Sequence, residues 1–300
     1  VTIVAVREAL DGVILGMYDK ALTGPTLDDV FASARRAGFS FVDLSIDETP
    51  ERLARLRWTT QQRRDVREAA QRHGIAIGGI CLSAHRAIAP GSHDPEQRAH
   101  ALRILQQAIH LCVDLGVSVL QIAGYYAYYE DPRPEARADY IEVLRAGARH
   151  AARCGIVLGL ENVDGTDVVS TAEALKIVDE IGSPWFQLYP DIGNFVVQSR
   201  DVVPEVAAAV RYAVAWHVKE ARPGQPRRVP LGEGDVPWHD AFAALAAAGW
   251  SGRIMIEMWN DDAPESELIA EEARLFVTGK LVGAGIRIVD GPGAELEEGN

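Results

Sequence analysis

The chain is short of cysteine. It has three in 300 residues, Cys81, Cys112 and Cys154, far apart, odd in number and set in apolar runs, with no CxxC pair. Neither a disulfide framework nor a cysteine-based zinc site is expected, and a reducing, cytoplasmic compartment fits. No apolar run approaches the roughly 18 residues a membrane span needs. The first residues, with Arg7, Glu8 and Asp11, lack the basic leader and apolar core of a signal peptide. Positive charge is also lacking. Thirty Lys and Arg stand against 43 Asp and Glu, a net charge of −13 that disfavours nucleic acid as a partner. Finally, no GxGxxG follows the first β-rich run, so nothing marks a dinucleotide-binding open sheet.

What the chain does have is an alternation repeated eight times. Short, nearly continuous apolar runs lie at Val13 to Tyr18, Phe41 to Ser45, Ile75 to Ser83, Val117 to Gly124, Ile156 to Asn162, Trp185 to Asp191, Val214 to Glu220 and Arg253 to Trp259. Runs of this kind are how parallel strands buried on both faces read. Between them lie helical segments. Leu102, Leu105, Ile109 and Cys112 form one apolar stripe, Thr59 to His73 supplies another helix, and Ser170 to Glu173 reads as a capping box. Gly38, Gly74, Gly116, Gly155, Gly182 and Gly249 fall where helices should stop. The pattern predicts an α/β fold, a single-domain (β/α)8 TIM barrel over residues 13–283. Residues 1–12 are read as a lead-in and 284–300, ending GPGAELEEGN, as a poorly ordered tail.

A barrel of this kind works at the carboxyl ends of its strands. The last four runs end on or carry Glu161, Asp191, His217 and Glu257, spaced by 30, 26 and 40 residues, about one βα unit each. One glutamate at a strand end is ordinarily a solvated rim residue, and one histidine on an apolar strand a satisfied core residue. Four oxygen and imidazole donors on four consecutive strands instead suit one divalent ion (Mn, Mg, Co or Zn) that keeps three carboxylates from repelling one another. Around them, Asn162, Asn194, Lys219 and Arg222 in the second half, and Lys20, Asp47, Glu48, Ser83, His85, Arg86, Tyr125, Tyr128 and Tyr129 in the first, are candidates to line a pocket for a polyhydroxylated, anionic ligand. The loop Gly232 to Asp235 has the glycines of a phosphate cradle, but its acids favour a plain turn.

Longer stretches are familiar. FVDLSIDETPERLARLRW (Phe41 to Trp58), CLSAHR (Cys81 to Arg86), AGYYAYY (Ala123 to Tyr129), PWFQLYPDIGN (Pro184 to Asn194), HVKE followed by PG (His217 to Gly224), VPLGEGDV (Val229 to Val236) and IEMWN (Ile256 to Asn260) resemble the L-ribulose-5-phosphate or L-xylulose-5-phosphate 3-epimerases of the xylose-isomerase-like barrel superfamily. The chain departs from that pattern at Asp43, Tyr126, Glu220 and in LENVD (Leu160 to Asp164). The resemblance implies inversion at C3 of a pentulose 5-phosphate through a metal-held cis-enediolate. Glu161, Asp191, His217 and Glu257 would be ligands, and Glu161 and Glu257 the acid–base pair. It also implies a homodimer. An aldose–ketose isomerase, a free-ketose 3-epimerase or a dehydratase would use related chemistry. A metal-dependent abasic-site endonuclease would need more histidines and a basic groove, and a degenerate sugar-binding barrel would have lost a ligand.

Overall fold

The computed structural model describes residues 12–260 and 263–289. Eight strands form one parallel sheet: β1 (Val13–Tyr18), β2 (Phe41–Ile46), β3 (Ala76–Leu82), β4 (Val119–Ala123), β5 (Val157–Glu161), β6 (Phe186–Leu188), β7 (Ala215–Val218) and β8 (Gly252–Ile256). Neighbours run β6-β5-β4-β3-β2-β1-β8-β7. The ring closes between β6 and β7 through two single bridges, Leu188 with Ala213 and Asp191 with His217. The α-helices are α1 (Leu27–Arg36), α2 (Pro50–Leu53), α3 (Thr60–Arg72), α4 (Pro95–Leu115), α5 (Ala136–Cys154), α6 (Thr171–Ile181), α7 (Ile192–Val197), α8 (Val202–Ala209), α9 (Trp238–Ala247) and α10 (Ser266–Gly283). Among the described residues no helix is long and apolar enough to cross a membrane.

The six glycines expected to stop helices all have positive φ, from 61° at Gly74 and Gly249 to 81° at Gly38. That left-handed conformation costs a side-chain-bearing residue energy and costs glycine nothing. Ser170 does cap α6, accepting from the Glu173 amide at 3.2 Å; the Glu173 carboxylate answers one residue early, at the Val169 amide.

Alternation along the strands sorts side chains between two cores. Val13, Leu15 and Met17, with Val42, Leu44 and Ile46, join the large cluster between sheet and helices. Ile14, Tyr18, Phe41, Cys81 and Met255 pack inside the barrel. Phe41 fits there because Gly16 and Gly78 carry no side chain; a Cβ on either would lie 2.2 Å from its ring. The same parity points Gln121, Glu161, His217 and Glu257 inward.

Strand six is shorter than expected. Pro190 has no amide hydrogen to extend the ladder, and Asp191 leaves it to cap α7, its Oδ1 accepting from the amides of Gly193 (2.8 Å) and Asn194 (3.3 Å). The tail also starts later than expected. Val13 pairs with Ile288, its amide donating to Arg287 O and its carbonyl accepting from Val289, so residues 284–289 belong to the folded unit. The remainder of that segment, 290–300, and residues 1–11 of the lead-in lie outside the described residues.

Candidate active site

Glu161 ends β5, Asp191 follows β6 and His217 lies in β7, and their ligating atoms all fall within 4.8 Å of one another. His217 Nδ1 lies 2.6 Å from Glu161 Oε1. The other Glu161 oxygen accepts from Gln121 Nε2 on β4. Glu257, just past β8, joins through a cation of the chain itself. Lys219 Nζ stands 2.7 Å from Asp191 Oδ2 and 2.9 Å from Glu257 Oε2. Asn162 braces this rim by clasping the Asp191 backbone, accepting its amide at 2.8 Å and donating to its carbonyl at 3.0 Å.

The charges are crowded and dry. Asp191 and His217 are fully buried. Burial, then the neighbouring carboxylates, pushes the Glu161 and Asp191 carboxyls above their usual range, against the pull of His217 and Lys219. Burial disfavours the charged imidazole of His217, but Glu161, Glu257 and Asp191 outweigh it and its pKa rises. Burial acts against Glu257 too; there Lys219, His217 and Lys20 win and lower it to about 2. Asp191 Oδ2, buried and outside hydrogen-bonding geometry, has an ammonium as its counter-charge. Two carboxylates and an imidazole at this range, with a third carboxylate on the same ammonium, are the donor set of a hard or borderline divalent cation.

Residues 31–278 match the xylose isomerase-like TIM barrel family. The chain is 38% identical to the L-ribulose-5-phosphate 3-epimerase UlaE of Salmonella paratyphi C (strain RKS4594), over 91% of this chain and 96% of that one. The barrel also superposes on a D-psicose 3-epimerase from Clostridium cellulolyticum H10 (TM-score 0.77, 16% identity, 89% of this chain and 99% of the other). A structure of L-ribulose 3-epimerase gives a TM-score of 0.76 at 20% identity, covering 91% of this chain and 96% of the other. The chain belongs to the xylose isomerase-like TIM barrel family. It is an isomerase, a sugar epimerase.

In this epimerase a cavity of about 70 Å³ opens over the carboxylates. Ser83, Arg86, Tyr125, Asn194, Lys219 and Lys20 line it, as expected, together with Glu161 and Glu257. Asn194 gives its Nδ2 to the Asn162 carbonyl at 2.8 Å and leaves a buried Oδ1 without a partner. Glu48 stands behind the lining, 3.2 Å from Arg86 and bonded by the Tyr129 hydroxyl. Asp47, Asn162, Tyr128 and Tyr129, also expected in the wall, are not among its lining residues, and two further expectations fail. His85 is buried away from the cavity, its Nε2 donating to Ala101 O at 3.1 Å, because the 3-10 turn Ser83–Arg86 swings it under α4. Arg222 points off to the Glu233 carbonyl. Arg227, five residues on, takes the place expected for it, ion-paired with Asp164 at 3.0 Å and with its guanidinium 5.9 Å from the Trp259 ring centre.

Other residues escaped the sequence reading. Gln121 was legible by parity, being the polar member of an inward set in β4. Tyr189 donates to Asp43 at 3.1 Å, and burial lifts that carboxyl to about 6, Arg253 and His217 opposing. Glu220 accepts from the Gly232 amide (2.7 Å), the Val236 amide (3.2 Å) and Trp238 Nε1 (2.8 Å), which makes the Gly232 to Asp235 loop a turn, tied from below. A larger cleft of about 520 Å³ beside β8 shares Glu257 and Trp259, but its other walls include Val229, Leu231, Ile269 and Phe276. Size favours that cleft; convergent chemistry favours the smaller cavity.

Proposed function

We propose that this epimerase inverts C3 of a pentulose 5-phosphate, interconverting L-ribulose 5-phosphate and L-xylulose 5-phosphate, with one divalent ion held by Glu161, Asp191, His217 and Glu257. The observation that carries the reading is the meeting of Glu161, Asp191 and His217 within 4.8 Å, with Glu257 tied to Asp191 through Lys219 and Glu161 and Glu257 both opening on the cavity. The ion would supply Lewis acidity at the ketose carbonyl and so acidify the C3 hydrogen. Glu161 and Glu257 stand on strands three apart, as inversion needs: one takes the proton from one face, the other returns a proton to the opposite face of the enediolate. Gln121 and His217 fix the Glu161 carboxylate, one on each oxygen. Lys219 screens Glu257 from Asp191 and is placed to steady developing negative charge.

The phosphate is the feature that distinguishes the curated relative from the psicose and ribulose 3-epimerases of similar fold. Arg86, Arg227 and Lys20 line the cavity with Ser83, and that cationic wall suits a phosphate end. Lys20 Nζ lies 4.5 Å from the Tyr18 ring centre, and its charge helps hold the Glu257 and Asp47 carboxyls down. The reading carries with it a cytoplasmic setting and a homodimer, the latter checked by light scattering on the eluted protein.

The test is proton NMR in D2O, with Mn2+ or Co2+ for turnover and Mg2+ for the spectra. Deuterium at C3 of L-ribulose 5-phosphate, with build-up of the epimer, is the expected result. Exchange at C1 with aldose formation would instead mean an aldose–ketose isomerase, and equal rates on free L-ribulose would remove the phosphate from the proposal.

A further inference from the structure

On the outside of the barrel, near the helix carboxyl ends that lead into the starts of β4 and β5 and so opposite the strand ends that carry the cavity, α4 and α5 bring three ligating side chains together. His110 comes from α4; His150 and Cys154 stand one turn apart on α5, where residues four apart share a face. Their ligating atoms all lie within 4.8 Å of one another. The imidazoles meet tip to tip, Nε2 to Nε2 at 2.9 Å, with ring centres 4.8 Å apart and planes tilted by 55°. The helices can come this close because Gly147 has no side chain. A Cβ there would lie 2.3 Å from Leu105 of α4, just before the histidines along both helices.

We propose that His110, His150 and Cys154 form a second metal site, taking a borderline-soft divalent ion such as Zn2+. The donors differ in kind from those of the cavity. Two imidazoles and a thiolate suit zinc or cobalt, whereas carboxylates also serve magnesium and manganese. The cysteine-based site that the spacing of the cysteines argued against is therefore assembled by helix packing. Tetrahedral zinc, with bonds of about 2.0–2.1 Å to nitrogen and about 2.3 Å to sulfur, sets donors roughly 3.3–3.6 Å apart. The imidazole nitrogens must open by about half an ångström and the sulfur close in by no more than about 1.2 Å. His110 is exposed and its two partners half-buried, so an ion can enter and a water can complete the shell.

The protons can be followed. Without an ion, the Arg153 guanidinium donates to His150 Nδ1 at 3.1 Å, so the neutral ring carries its hydrogen on Nε2 and donates it to His110. Binding moves that hydrogen to Nδ1, displaces the exposed Arg153 side chain and releases the Cys154 thiol proton to solvent. Burial, then His110 and Arg153, holds the His150 pKa below its usual value, which favours the neutral ring that a metal needs. The ion would staple α4 to α5 at their carboxyl ends, on the face of a barrel that serves stability.

The test is a Co2+ titration of the full chain, following thiolate-to-cobalt charge-transfer absorption, a signal that a carboxylate–imidazole centre does not give. Wild type should show the band at about one ion per chain, with Zn2+ displacing it. Cys154→Ser should abolish it and His110→Ala should weaken Co2+ binding at this site at least tenfold, both with epimerase turnover within about twofold of wild type. Absence of the band in wild type, its survival in Cys154→Ser, or unchanged affinity in His110→Ala would each overturn the site.

Discussion

His217 Nδ1 lies 2.6 Å from Glu161 Oε1, although β7 and β5 are not neighbours in the sheet. The strand between them stops at Leu188, and the His217 amide donates instead to Pro190 O at 2.9 Å. The two side chains therefore meet across the early end of β6. Glu161→Gln keeps the shape and removes both the negative charge and the basic oxygen. Its kcat is expected to fall by roughly 100- to 10,000-fold, and Glu257→Gln to fall as far, with circular dichroism unchanged. Wild-type C3 exchange in either variant would remove that glutamate from the acid–base pair.

Lys219 holds two buried carboxylates apart. In Lys219→Met, Asp191 and Glu257 lose their ammonium, and a buried charge left unpaired costs about 3–5 kcal/mol. Side-chain exposure of 11% at Glu257 puts this case at the lower end. Thermal unfolding in EDTA should show the full loss, and saturating Mn2+ should restore most of it by supplying the missing positive charge. An equal deficit with and without metal would mean that no ion binds beside these carboxylates.

Strand order and the rim residues were legible because both follow from period. Buried parallel strands read as apolar runs, and in a barrel the end of each run is a place on the rim. Glu161, Asp191, His217 and Glu257 needed nothing more. Arg227 and His85 did not depend on period. Arg227 sits in a loop with three prolines, where no repeat says which arginine turns inward, so Arg222 was as good a choice. His85 follows its strand as expected, but a 3-10 turn rotated it out of register with the rim. The cluster of His110, His150 and Cys154 lay further out of reach, since it depends on how closely α4 and α5 pack at Gly147.

Arg227 separates a phosphorylated substrate from a free one. A hydrogen bond to a charged group contributes about 1.5–3 kcal/mol, so Arg227→Gln should lower kcat/KM for L-ribulose 5-phosphate on the order of 10- to 100-fold. Turnover of free L-ribulose, which has nothing for the guanidinium to hold, should stay within about threefold. Initial rates on both substrates give the ratio. An equal drop on both would mean that Arg227 shapes the cavity through Asp164 without reading the phosphate.

His85 should make the barrel acid-sensitive in a defined window. Burial lowers its pKa to about 4, against the small opposing effect of its bond to Ala101 O, and Nδ1 has no partner to accept an added proton. Unfolded, the ring titrates near 6.5. Between those values the unfolded chain binds a proton that the native chain refuses, so stability is intact above about pH 6.5 and falls as pH drops towards 4. Linkage gives a loss of roughly 2 kcal/mol from this one residue between pH 7.5 and 5. His85→Gln can still donate to Ala101 O but cannot titrate. Urea unfolding of both proteins at the two pH values isolates the residue, because every other group contributes equally and cancels in the difference. The wild type should lose about 2 kcal/mol more than the variant; parallel losses would show that His85 is already protonated in the folded chain.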